Sequence, residues 1–197
     1  MTENPIKLAV LVGSVRDARF GPTVANWFVQ QAERHQSVSV DLVDLADFPL
    51  PLQMPDFGRR PAPEVHATRE RLGARLAAAD AFAVVTPEYN HTFSPSLSNT
   101  INWYLDEWTA KPVGLISYGG VGGGLRAAEH LRQVFAEVHA TTVRDTLSFH
   151  NAWTQFGTAD EPVSPEGSEA AAKSLLDQLT WWGNALRAAR AAHPYKR

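Results

Sequence analysis

Leu8-Ala9-Val10-Leu11-Val12 is apolar at every position, with no polar face. A strand reads this way when both of its faces are buried, as in a parallel sheet covered by helices on each side. Similar runs recur at Ala81-Phe82-Ala83-Val84-Val85-Thr86 and Val113-Gly114-Leu115-Ile116-Ser117. Val38 to Val43 and Thr141 to Leu147 read as two further strands.

Segments of helical period lie between and after these strands. Gly21-Pro22-Thr23 opens the first, with Pro22 in a first-turn position that needs no donor, and its apolar stripe is Ala25, Phe28, Val29 and Ala32. Glu64 to Ala79 carries Val65, Leu72, Leu76 and Ala79 on one face. Ser94-Pro95 is a cap followed by a first-turn proline, and it predicts a helix with the stripe Leu97, Ile101, Leu105 and Trp108. A fourth helix carries Ala128, Leu131, Phe135 and Val138. An irregular segment through Trp153 and Phe156 precedes a second Ser-Pro start at Ser164-Pro165, and the last helix carries Leu175, Leu179, Trp182 and Leu186.

Five strands alternating with five helices predict an α/β fold. The expected architecture is a flavodoxin-like three-layer sandwich whose five-stranded parallel sheet runs 2-1-3-4-5, with helices on both faces. A chain of 197 residues suits a single domain over 1–197. It carries no cysteine, which excludes thiol nucleophiles, thiolate zinc sites, cysteine-ligated clusters and disulfides. A net charge of −3 gives no reason to expect nucleic-acid binding. Met1 to Lys7 lacks the basic-then-apolar pattern of a signal peptide, and no apolar run approaches a membrane span, so a cytoplasmic location is expected.

In such sheets a ligand sits beyond the carboxyl ends of the strands, where the strand order switches. The loop Gly13-Ser14-Val15-Arg16-Asp17-Ala18-Arg19-Phe20-Gly21 joins a buried strand to a helix N-terminus, whose free amides and dipole favour an anion. Ser14 and Thr23 add hydroxyls there, and Arg16 and Arg19 can add charge-assisted bonds to phosphate. Thr86-Pro87-Glu88-Tyr89-Asn90-His91 sets a carboxylate, a phenol and an amide after the third strand. Its Glu88 to Asn90 amides can face a ligand, and Tyr89 offers a flat surface for a ring. Ser117-Tyr118-Gly119-Gly120-Val121-Gly122-Gly123-Gly124 follows the fourth strand, and its glycines allow close backbone approach.

Other chemistries fail on the residues. Gly122, Gly124 and Ala127 fit a dinucleotide fingerprint, but that fingerprint belongs after the first strand. There is no G-x-x-x-x-G-K-[ST] loop and no H-E-x-x-H pair. Leu115 breaks the G-x-S-x-G pattern at Ser117. The seven histidines are scattered, with only His91 beside one of the loops, and no metal site is expected.

Taken together, Gly13-Ser14-x-Arg16 with Arg19 and Gly21, Thr86-Pro87-Glu88-Tyr89-Asn90, Ser94-Pro95-x-Leu97-x-Asn99-x-Ile101 and Ser117-Tyr118-Gly119-Gly120 resemble the NADPH-dependent FMN reductase family of flavodoxin-like proteins. The resemblance implies that Ser14 and Arg16, with the Pro22-Thr23 turn, hold the FMN phosphate. Pro87, Glu88, Tyr89 and Asn90 would line the ring, largely through backbone groups, and Ser117, Tyr118, Gly119 and Gly120 would form the other wall. Arg19 would meet either this phosphate or those of the dinucleotide. The implied activity is hydride transfer from NADPH or NADH to FMN and on to free flavin, quinone, azo compound or metal oxyanion. No side chain is expected as acid or base, because the cofactor carries the chemistry. A homodimer or homotetramer is implied too. One departure is Asn102, where the family commonly carries an acid on the subunit-contact helix. Two other readings are a flavodoxin-type electron carrier, to which the near-balanced charge is ill suited, and a flavin-sensing binding protein with tryptophans such as Trp103, Trp108 and Trp153 on a partner surface.

Overall fold

A computed structural model describes residues 4–56, 58–157 and 161–196. Its strands are β1 (Ile6–Val12), β2 (Val38–Asp44), β3 (Ala81–Pro87), β4 (Pro112–Tyr118) and β5 (Thr141–Phe149). All pairings are parallel and the order is β2-β1-β3-β4-β5, as the alternation of elements predicts. The helices are α1 (Gly21–Glu33), α2 (Pro63–Ala78), α3 (Pro95–Trp103), α4 (Leu125–Glu137), the short α5 (Ala152–Gln155) and α6 (Pro165–Ala192). A 3-10 turn, Leu45–Asp47, follows β2 directly.

The continuous apolar runs are explained by two cores, one on each sheet face. Leu8, Val10 and Val12 of β1 pack with Val24 and Phe28 of α1 and with Leu175 and Leu179 of α6. Ala9 and Leu11 face the other way, toward Leu72 and Leu76 of α2, Leu97 and Ile101 of α3, and Leu131 and Phe135 of α4. Every residue of β3 and β4 is buried, whereas the edge strands β2 and β5 are mixed. At the opposite end of the sheet from the ligand edge, buried Lys111 donates to the Leu76 and Ala77 carbonyls at 2.8 and 3.0 Å, closing the last turn of α2.

Two helices depart from the predicted stripes. α3 stops at Trp103, and 105–110 is a run of turns; Leu105 is exposed while Trp108 is fully buried. Trp108 reaches the core from the turn, 4.7 Å from Phe82 and 5.7 Å from Phe135 between ring centroids. In α6 the buried stripe continues from Leu179 to Gly183, not Trp182. A Cβ at Gly183 would lie 3.1 Å from the Ile6 side chain, so the missing side chain lets the helix lie close on β1. Of the two Ser-Pro starts, Ser94 caps its helix and Ser164 makes no capping bond. Among the described residues no helix is long and apolar enough to cross a membrane.

Candidate functional site

The loops after β1, β3 and β4 meet at one edge of the sheet. The first is anchored at its start. The Gly13 amide donates to the Val85 carbonyl at 2.8 Å, and the Gly13 carbonyl accepts from Ser94 Oγ at 2.5 Å and Ser96 Oγ at 2.6 Å. A side chain at Gly13 would meet the Val85 carbonyl at 3.0 Å. Ser14 follows, fully buried, and its Oγ makes no hydrogen bond of good geometry within the chain. Buried hydroxyls are normally bonded, so an orphan here points to a ligand oxygen or a water.

α1 begins at Gly21 because nothing larger fits: a Cβ there would run into Ser14 Oγ and stand 2.9 Å from Tyr118 Oη. Its N-cap is Phe20, which has no side-chain oxygen to offer, so the first turn is capped by no side chain. Pro22 supplies no amide, and Thr23 completes the turn.

Arg16 and Arg19 take different roles. Arg16 is exposed, with its guanidinium 5.4 Å from the centre of the Tyr89 ring, so it spans from the first loop to the second. Arg19 forks onto Asp44 at 2.5 and 2.6 Å and donates to the Ser14 carbonyl at 2.6 Å. It holds the loop's shape against the end of β2, where Asp44 also accepts from the Ala46 amide at 3.0 Å.

After β3 the chain reverses tightly. Tyr89 and Thr92 exchange backbone hydrogen bonds at 2.8 and 3.1 Å, and the two residues between them, Asn90 and His91, have φ of +48° and +68°. Positive φ at both central positions is the type I′ hairpin turn. Of the three amides from Glu88 to Asn90, Glu88's goes to the Tyr118 carbonyl at 3.1 Å and Tyr89's to Thr92, leaving Asn90's. The Glu88 side chain turns away under the glycine turn, where it pairs with the Arg126 guanidinium and accepts from the Arg126 amide at 3.3 Å. It thereby caps α4 and ties the loops after β3 and β4 together.

The loop after β4 is built on left-handed glycines. Gly123 and Gly124 have φ of +59° and +82°. Ser117 is buried and donates to the Gly123 carbonyl at 2.9 Å, so its hydroxyl holds the turn from beneath. The Gly119 and Gly120 carbonyls accept from the Ala152 and Asn151 amides at 3.1 and 2.8 Å, which docks α5 against the turn. Phe156 anchors α5 from below, with ring centroids 5.5 Å from Phe20 and 5.1 Å from Phe149. Trp153 stays 63 % exposed at the rim, beside Gly120.

Tyr118 joins two of the loops, its phenol lying beside Ser14. Burial pushes that phenol up to about 12, with the Ser14 hydroxyl pulling the other way. A tyrosine whose folded value is raised adds stability that is complete below the unfolded value of about 10 and is lost as pH climbs toward about 12. Tyr118→Phe is expected to flatten that alkaline loss by about 2–3 kcal/mol in urea unfolding followed between these pH values.

The arrangement offers an anion site at Gly13, Ser14, Gly21 and Thr23, and beside it the adjoining loop starts Pro87–Asn90 and Tyr118–Gly120, which the Glu88 amide joins through the Tyr118 carbonyl. The buried Ser14 hydroxyl, which makes no hydrogen bond of good geometry, at the uncapped start of α1 fits the phosphate of a flavin nucleotide. The sequence profile described as NADPH-dependent FMN reductase matches residues 6–154. The chain belongs to this family. An NAD(P)H-dependent FMN reductase of Schizosaccharomyces pombe is 36% identical over 122 residues, 60% of each chain, so that alignment spans less than two thirds of the relative. A quinone reductase of Escherichia coli is 29% identical over 180 residues, 89% of this chain and 90% of that one. Among solved structures, the flavoenzyme FerB of Paracoccus denitrificans superposes with a TM-score of 0.68 at 22% identity, over 91% of this chain and 98% of that one. This last likeness is one of fold.

Sequence reasoning passed over several residues that build these loops. Asp44, Ser96 and Arg126 act only across loops far apart in the chain, which no local pattern reveals. Phe20 had a local signal: a residue without a capping oxygen directly before Gly-Pro.

Proposed function

We propose that this chain binds FMN in the three-loop cradle and oxidises NAD(P)H through it. The observation that carries the reading is the buried Ser14 hydroxyl, which makes no hydrogen bond of good geometry, at the uncapped start of α1. Ser14, Arg16 and the Gly21–Thr23 turn hold the phosphate. Pro87, Glu88, Tyr89 and Asn90, with the adjoining Tyr118, Gly119 and Gly120, line the ring, and Ser117 holds the glycine turn from beneath. Arg19 supports this cradle from Asp44. Held by these residues, FMN would supply the hydride chemistry between the dinucleotide and an acceptor. The chain's own work is position and exclusion of water; no side chain has to move a proton for the hydride step.

The acceptor is read from the cleft of about 440 Å³ beside Val15, walled by Leu45, Phe48, Leu50, Pro95 and Asn99. None of the residues lining it is charged, which favours a neutral planar acceptor such as a quinone or flavin over a metal oxyanion. Exposed Leu52, Val121, Trp153 and Trp181 give a homodimer or homotetramer apolar surface to cover. Trp103 and Trp108 belong to the core, so they offer nothing to a partner.

Arg16→Ala tests the phosphate end. Loss of one charge-assisted contact is expected to weaken FMN binding by about 1–3 kcal/mol in a fluorescence titration. Unchanged affinity would make Arg16 a surface charge and nothing more.

A further inference from the structure

Tyr118 closes β4, yet its side chain serves the other end of the ligand edge. With the strand order β2-β1-β3-β4-β5, the phenol has to pass over β3 to reach the loop after β1. It arrives where α1 begins. A Cβ at Gly21 would run into Ser14 Oγ and stand 2.9 Å from Tyr118 Oη, so both oxygens crowd the same glycine. The Tyr118 ring belongs to the core on the α1 side of the sheet, with its centroid 6.1 Å from that of Phe20. What Tyr118 gives the glycine turn is its backbone, whose carbonyl accepts from the Glu88 amide at 3.1 Å.

As packing alone, a phenylalanine would serve here, and the aromatic residues of the same core, Phe20, Phe149 and Phe156, carry no hydroxyl. Burying a hydroxyl is costly without a partner. Here two are buried together, Tyr118 being 6 % exposed and Ser14 0 %. Ser14 is fixed from behind, since Arg19 donates to its carbonyl at 2.6 Å. Its hydroxyl has one proton to give and lone pairs with which to accept. Burial raises the phenol to about 12, so Tyr118 is a donor throughout the neutral range. A phenol proton given to Ser14 Oγ leaves the serine's own proton for an anion at the uncapped first turn of α1. In such a chain each hydrogen bond polarises the next.

We propose that Tyr118 is a positioning residue for the flavin phosphate: its phenol orients the Ser14 hydroxyl, and through it the chain selects FMN over unphosphorylated riboflavin. This rests on the reading that the cradle binds flavin. The two hydroxyls form one device, in which Tyr118 acts through Ser14 and its phenol takes no part at the ring end.

The test is a fluorescence titration of the chain, freed of flavin, with FMN and with riboflavin. Tyr118→Phe should weaken FMN binding by about three- to tenfold, the scale of one neutral hydrogen bond, and leave riboflavin binding within about twofold. Ser14→Ala, which removes the bond to the phosphate itself, should weaken FMN binding by about tenfold or more and also spare riboflavin. In the Ser14→Ala background, Tyr118→Phe should change FMN affinity by less than about twofold, because the residue it acts through is gone. A Tyr118→Phe variant with the parent's FMN-to-riboflavin ratio would overturn the proposal. So would equal losses for both flavins, which place the phenol at the ring, and additive losses in the double variant, which make it a direct ligand. A parent that binds both flavins equally overturns this proposal and leaves the functional reading standing, whereas a parent that binds neither removes both.

Discussion

Trp108→Ala is expected to lower the unfolding free energy by about 3–5 kcal/mol, the usual range for deleting a large buried aromatic. The ring has no exposed surface and packs between Phe82 and Phe135 under the sheet. It reaches from a run of turns into the core shared with α2, α3 and α4. Trp108→Phe should cost less than half as much. It keeps most of the apolar contact and removes an indole N–H that has no partner in the core. Urea unfolding monitored by circular dichroism measures both, and an alanine variant within 1 kcal/mol of the parent, roughly the scale of ordinary surface substitutions, would show that the site can repack.

Gly124→Ala is the second large effect, at about 2–4 kcal/mol. Part is the left-handed backbone at φ +82°, which an L side chain adopts at a cost of about 1–2 kcal/mol. The rest is overpacking: the new Cβ would stand 2.6 Å from Ser117 Cβ and 2.8 Å from the Tyr118 amide. Neither neighbour can swing away, since one is buried and the other is backbone in β4. The strain falls on the turn that carries Gly119 and Gly120, so FMN affinity should drop along with stability. Gly167→Ala is the control. It sits in α6 with open space where a Cβ would go, and should be neutral or slightly stabilising.

These two positions also mark where a sequence can be read and where it cannot. The five strands, their order and the two-faced core were legible because a doubly buried strand has to be apolar throughout. Gly119 to Gly124 was legible as a close-approach turn because glycine there answers to sterics alone. Trp108 looked like a continuation of the α3 stripe, yet the helix ends five residues earlier; spacing of three and four does not distinguish a helix from a turn that returns a ring to the core. In α6 the same rule chose Trp182 over Gly183, since a glycine leaves no mark in an apolar pattern even when it is the point of contact. Arg19 was assigned to a phosphate because its position suits one. Its pairing with Asp44 joins two loop ends brought together only by the β1–β2 pairing. Glu88 likewise stands in the ring-side stretch, while its carboxylate caps α4. Backbone placement was read from sequence; side-chain direction across loops was not.

The account rests on FMN in the three-loop cradle taking electrons from NAD(P)H. An anaerobic titration addresses this most directly: the purified chain is loaded with FMN, freed of excess, and NADPH or NADH is added while the flavin absorbance is followed. The account predicts one flavin retained per chain, bleaching by a stoichiometric amount of dinucleotide, and recovery of the colour when a quinone is admitted. A chain that retains no FMN, or whose bound FMN stays yellow with both dinucleotides, would contradict it.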